Sequence, residues 1–182
     1  VKKNTYAQSE KSYDQKIEKD FEDILKRDAV KLSTEDLKKR VIRFLDQHCI
    51  CTLATCADNL PRSTPVRYRN SGLTIYILSE GGGKIRNIMK NPQVSVSLYG
   101  EYSGFQSVRG LQIWGTAKII PPGDKTRHAE ALDVLSLTQR EDLKEIDAPA
   151  VRQDMIIIEI STEKARYLDF PEGILNQTLV LK

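Results

Sequence analysis

Gly81-Gly82-Gly83-Lys84 is the stretch of this chain best suited to chemistry. Glycine adopts backbone conformations that other residues resist. A helix opening just after it presents unpaired N–H groups, and a lysine there adds a cation. Two alternating runs upstream flank a turn at Asn70-Ser71-Gly72. The whole reads as a β-hairpin feeding a basic helix start, a cradle for a phosphate-bearing ligand. Taken alone, Lys84 is also simply a solvated lysine at a helix start, and the triplet simply a loose turn.

A second cluster is His48 with Cys49, Cys51 and Cys56. A metal site is the obvious reading to weigh. Cys49-x-Cys51 lacks the two-to-four-residue spacer of zinc knuckles, and no second ligand pair follows. On a strand the two thiols share a face and pack as small apolar groups, so no metal is expected. His48 reads as a helix-end residue, and His128 in Lys125-Thr126-Arg127-His128 as part of a solvated helix face.

The chain has 182 residues, 40% hydrophobic and 29% charged, with a net charge of +3. That is one globular domain, or one domain with a small appendage. The charge is too mild to imply nucleic acid. No apolar run approaches the roughly 18–20 residues of a membrane helix. Three cysteines and a polar N-terminus without a secretory signal lead us to expect a reducing cytoplasm.

Residues 1–33 read as a charged arm, with Ile17, Phe21, Ile24 and Leu25 at helical spacing over 14–30. Ser33 opens a second helix with acids in its first turn and an inner stripe of Leu37, Val41, Phe44 and Leu45. Strands follow over 50–57, 62–69 and 73–78. Pro61 and Pro65 mark the second as an edge or a bulge, without regular pairing throughout. A short helix covers 84–90, then a strand 93–99, a loop 101–108 and a long strand 111–120, with Gly115 as a bulge or close-approach point. Asp124 caps a helix running to about Leu143. Strands over 155–160 and 165–170 and a short edge strand in the tail complete the order. The fold class is mainly β with flanking helices, a small antiparallel barrel of six or seven strands over residues 34–182.

This order of elements, together with Pro61-x-Ser63-Thr64-Pro65-Val66, the Ser79-to-Lys84 link with Arg86-Asn87 after it, Asn91-Pro92-Gln93-Val94-Ser95-Val96 and Gln112-Ile113-Trp114-Gly115, resembles the pyridoxamine 5′-phosphate oxidase-like family of FMN-binding split barrels. The likeness runs from about residue 37 to 170. It implies a split barrel that forms a homodimer, with two FMN molecules in clefts at the subunit interface. The strand matching 64–69 would lie along the flavin, its N–H groups meeting the ring edge. By position Thr64 stands for an arginine of the true oxidases and Arg69 for a lysine. Leu78 and Ser79 would border the phosphate, and Lys84 aligns with the phosphate-binding lysine. Gln112 and Trp114 would come from the other subunit. Arg67 or Arg69, with Ser79 and Lys84, would supply cations and donors to the phosphate dianion. Of the two arginines, Arg69 is favoured. Pro65, Val66 and Trp114 would wall the ring.

The sequence also departs from the true oxidases. Their C-terminal arginine-leucine-x-proline signature is replaced by Lys164-Ala165-Arg166-Tyr167-Leu168-Asp169-Phe170-Pro171. The resemblance therefore implies an FMN-dependent oxidoreductase whose small-molecule substrate is not pyridoxamine phosphate. A nicotinamide nucleotide is a candidate electron donor. The alternatives are a non-catalytic flavin store or sensor, and a deazaflavin- or haem-binding relative on the same barrel.

Overall fold

A computed structural model of the protein describes residues 29–135 and 154–182. The helix expected over 14–30 falls almost wholly outside them. Helix α1 spans Thr34–Gln47, and Ser33 caps it by accepting the Asp36 N–H on its hydroxyl. The expected stripe of Leu37, Val41, Phe44 and Leu45 is its buried face. His48 ends the helix as read. Its ring stacks on Phe44, and its Nδ1 lies 2.7 Å from the Phe44 carbonyl oxygen. A carbonyl only accepts, so Nδ1 carries the proton.

Eight strands follow: β1 (Ile50–Ala57), β2 (Leu60–Arg67), β3 (Arg69–Ser71), β4 (Thr74–Ser79), β5 (Gln93–Tyr99), β6 (Arg109–Ile120), β7 (Ile156–Asp169) and β8 (Ile174–Val180). Helix α2 (Gly83–Lys90) joins β4 to β5, and α3 (Lys125–Leu135) follows β6. All the strands belong to one antiparallel sheet in the order β2-β1-β5-β6-β7-β4-β3, with β8 also on β7. The two ends of that path, β2 and β3, are consecutive in the chain with only Tyr68 between them. The sheet must therefore curl round to meet itself. It stays split, because β2 pairs only with β1. Period-two alternation fills the interior: Leu53, Ile75, Ile77, Val96, Ile113, Ile158, Ile160 and Ala165 are fully buried.

The second strand begins earlier than its sequence pattern suggests and stops at Arg67. Tyr68 leaves the ladder and turns inward. Its N–H goes to the Cys49 carbonyl at 2.9 Å and its hydroxyl to the Leu45 carbonyl at 2.7 Å. The prolines do not interrupt pairing as expected. Pro61 faces Cys56 and Pro65 faces Thr52 in an unbroken register. An edge strand tolerates this, since alternate N–H groups point away from its neighbour.

The two strands expected over 155–160 and 165–170 are one, β7, bent rather than broken. The polar run between them holds no glycine or proline, and β6 pairs along its whole length. Glu163 is the extra residue, because Gly115 faces Thr162 while Trp114 faces Lys164. The bend divides the other side of β7 as well: β4 takes residues 156–161 and β8 takes residues 164–169. A Cβ on Gly115 would run into the Ser161 carbonyl oxygen, so the close approach expected there is present.

Asp124 caps α3 by accepting the Arg127 N–H at 3.3 Å. The expected continuation to about 143 lies outside the described residues. His128 is buried and not solvated, with Nε2 2.7 Å from the Met155 carbonyl oxygen. It shares the inner face of α3 with Ala131 and Leu135, three and seven residues on. The tail strand starts at Ile174, earlier than expected, because a turn at Gly173 returns the chain onto β7.

Candidate functional site

The split in the barrel is where chemistry-bearing residues converge. One side is β2, with no strand on its outer edge. The other is the end of β4, reaching beyond the three residues that β3 covers. Ser79, last on the inner face of β4, is 2% exposed. Its hydroxyl accepts the Gly81 N–H at 3.1 Å. The chain then passes through Gly81 at φ 108° and Gly82 at φ 88°, conformations closed to most side chains, and enters α2. Gly82 is the N-cap and has no side chain to satisfy the first N–H groups of the helix. Lys84 reaches back and donates to the Gly81 carbonyl at 3.1 Å. Asn87 donates to the Thr55 hydroxyl at 3.2 Å and Asn91 to the Cys56 carbonyl at 3.0 Å, so α2 is fixed to the barrel end by its polar side.

Arg62 joins this group, and the sequence reading overlooked it. It faces Thr55 across the β1–β2 ladder and so shares the inner face with Thr64 and Val66. Its guanidinium lies against Gly83, with Nε 2.6 Å and Cζ 2.7 Å from where a Cβ would stand. A Cβ there would push the guanidinium aside. The available signal was the period of two, which puts Arg62 on the same face as Thr64 and Val66 and opposite Pro61 and Pro65.

Two cations and the positive end of a helix repel one another unless an anion lies between them. An anion-binding cradle accounts for this arrangement. Nearby, the Thr64 hydroxyl oxygen is buried with no hydrogen-bond partner. A native structure rarely leaves such an atom unsatisfied. Both features fit a phosphate-bearing cofactor laid along β2.

The other expected site residues are dispersed. Val66 is half-buried against the core, and Pro65 is on the outer face beside Thr52. Arg67 lies opposite Ile50 on that outer face, half-buried. Arg69 is in β3 opposite Tyr76, the side that α3 covers, and not at the cradle. The side chain of Leu78 also packs towards α3, with Tyr76 and Leu132. Gln112 and Trp114 are on the outer face of β6, three strand spacings or about 14 Å from β2. Lys164 sits over the Trp114 ring at 4.2 Å, with Arg166 at 5.6 Å. One chain does not bring these two residues to the cradle.

Cys51 is buried, and burial pushes its thiol up to about 12. It is therefore a packing group and not a nucleophile at neutral pH. A thiol whose pKa is higher in the folded than in the unfolded chain stabilises the fold fully below the ordinary thiol range, and that contribution is lost as pH rises towards 12. Burial raises Tyr68 and Tyr167 in the same direction. Melting temperature should fall between about pH 9 and 12, and less steeply in Cys51→Ala. Equal slopes in the two proteins would remove Cys51 from the account.

Comparison with known proteins agrees with this architecture. General stress protein 26 of Bacillus subtilis is 33% identical over 89 residues, which is 48% of this chain and 63% of that protein. The chain thus matches less than two thirds of the length of this relative. The crystal structure of general stress protein 26 from Bacillus anthracis superposes with a TM-score of 0.54 at 20% identity, over 80% of this chain and 98% of the other. A FAD-binding protein from Mesorhizobium loti superposes with a TM-score of 0.53 at 25% identity, over 74% of this chain and 90% of the other. The family model for pyridoxamine 5′-phosphate oxidase matches residues 37–169, from α1 to the end of β7 and so across the whole split and its cradle. The chain belongs to the pyridoxamine 5′-phosphate oxidase-like family.

Proposed function

We propose that the protein binds FMN in the split and acts as an FMN-dependent oxidoreductase on a small molecule, as a homodimer in the cytoplasm. The observation that carries this reading is the convergence of Arg62 and Lys84 on the uncapped N-terminus of α2. The phosphate would lie there, with Ser79 and the first N–H groups of the helix as donors. The Thr64 hydroxyl and the open edge of β2 would meet the rest of the cofactor. FMN supplies hydride and electron transfer when bound; the residues of this chain position it and tune it. FMN and FAD both carry a phosphate that such a cradle would hold, so titration with each decides between them. The FAD-binding relative makes the comparison worth measuring.

A second copy is part of the proposal. Ile50 and Tyr99 are 57% and 77% exposed on the outer face that also carries Trp114 and Gln112. Packing two such faces together would cover them and carry Gln112 and Trp114 of one chain towards the flavin of the other. His128 offers a haem no ligand, because its Nε2 is held against the Met155 carbonyl in the interior.

The test is to purify the protein, record its absorbance, release the chromophore with acid and identify it by mass. FMN at one per chain supports the reading; a colourless protein that takes up no added FMN ends it. Reduction by a nicotinamide nucleotide then separates an oxidoreductase from a passive carrier. Lys84→Ala should weaken FMN by about tenfold, one charge-assisted bond, and leave riboflavin affinity unchanged. Equal loss for both would take Lys84 off the phosphate.

A further inference from the structure

A second cavity, of about 260 Å3, opens between α1, the β5–β6 connection and the end of β7. It takes no part in the cradle. Arg40 and Arg43 from α1, Arg109 from β6, His48, Glu101, Tyr167, Asp169 and Glu172 all line it.

The charges sort themselves. Asp169 has a side chain only 5% exposed; it accepts from Arg109 Nε at 3.1 Å and from the Tyr167 hydroxyl at 2.9 Å. Glu172 is engaged by Arg40 at 2.6 Å. These pairs fix two of the three guanidinium groups in place and leave the remaining N–H groups of each uncommitted. Arg43 lies one turn from Arg40, and like charges at that spacing destabilise a helix. Arg43 has no ion pair among the described residues, and neither has Glu101. Three arginines face three carboxylates there: two pairs are made, which leaves the exposed Arg43 and the spare N–H groups of Arg40 and Arg109 to a ligand, with Glu101 to oppose a second negative charge. That composition suits a single carboxylate, held by guanidinium forks.

The pocket also continues. His48 and Gln47 are shared with a groove of about 370 Å3 lined by Ile50, Thr52, Pro65 and Tyr99. Its walls are mostly apolar.

We propose that the arginine pocket binds the carboxylate of a small organic acid whose apolar body lies in the adjoining groove. The groove lies on the outer face that the second copy proposed above would pack against, so such an acid would lie under the partner subunit. The binding itself requires no flavin, which makes the two readings separable.

Benzoate is the probe, titrated by calorimetry into FMN-loaded and flavin-free protein. Saturable one-to-one binding is expected in both, with none for benzyl alcohol, which has the ring without the charge. Arg43→Ala should weaken benzoate at least tenfold, and Arg43→Lys should recover part of the loss. Lys39→Ala removes the same charge from an exposed position on the same helix, outside the pocket, and should leave affinity unchanged. The proposal is overturned if the unmodified protein binds no benzoate, if benzyl alcohol binds equally well, or if Arg43→Ala has no more effect than Lys39→Ala.

Discussion

Arg62→Ala should weaken FMN binding by about 100-fold and at the same time raise the melting temperature of the flavin-free protein. The two effects have one cause. With the cofactor phosphate present, the guanidinium contributes charge-assisted hydrogen bonds of about 1.5–3 kcal/mol. Every 1.4 kcal/mol is a factor of ten in affinity. Without the phosphate, the same group lies against the positive end of α2 at Gly83, next to the Lys84 backbone. A cation there opposes the helix dipole, at a cost of up to about 1 kcal/mol, or roughly 2–4 °C for a chain of this size. Removing it should relieve that cost. Riboflavin, which has no phosphate, should bind the variant as it binds the original. FMN titration and thermal melts on the same two proteins settle the matter. A variant with both weaker FMN binding and a lower melting temperature would make Arg62 a structural residue and not a phosphate ligand.

Gly115→Val should be the most damaging single substitution in the barrel, at about 3 kcal/mol or more. The Cβ alone would collide with the Ser161 carbonyl oxygen and press on the Ile160 side chain. A backbone atom cannot swing aside as a flexible side chain can. Over-packing usually costs about 1–3 kcal/mol, and here it falls on the bulge that bends β7 between β4 and β8. The expected loss in melting temperature is roughly 6–12 °C. Gly72→Ala is the control: its site is open, and it strains only one turn. Equal losses in both would mean that the close approach at Gly115 relaxes without difficulty.

Much of this architecture was legible because its signals are local. Val94, Val96 and Leu98 alternate with polar residues, and β5 appears at the residues expected. Ser33, Asp124 and Gly115 each announce a cap or a bulge through residue type alone. The cradle was half legible: the glycines, Ser79 and Lys84 are close in sequence, whereas Arg62 arrives from another strand, and its inward face shows only in its pairing with the buried Thr55. Arg69 reads in sequence as the end of the second strand, whereas Tyr68 breaks that strand and puts Arg69 in β3, opposite Tyr76. His128 looked solvated because its neighbours are polar; only the fold brings the Met155 carbonyl to it. The join across residues 161–164 was hidden because a bent strand and two strands with a polar turn have nearly the same composition.

Tyr68 has a mechanical consequence. It is the single residue between the two edge strands of the sheet, and its ring is anchored in the core. At that end β2 and β4 are tied through β3, which pairs with β4 and starts two residue steps, about 7 Å, from the end of β2. At the other end, between Arg62 and Ser79, no covalent bond limits their separation. The split is therefore a wedge with a fixed apex, and any widening takes place by rotation about Tyr68. The largest displacement then falls at the mouth, where a phosphate would have to pass.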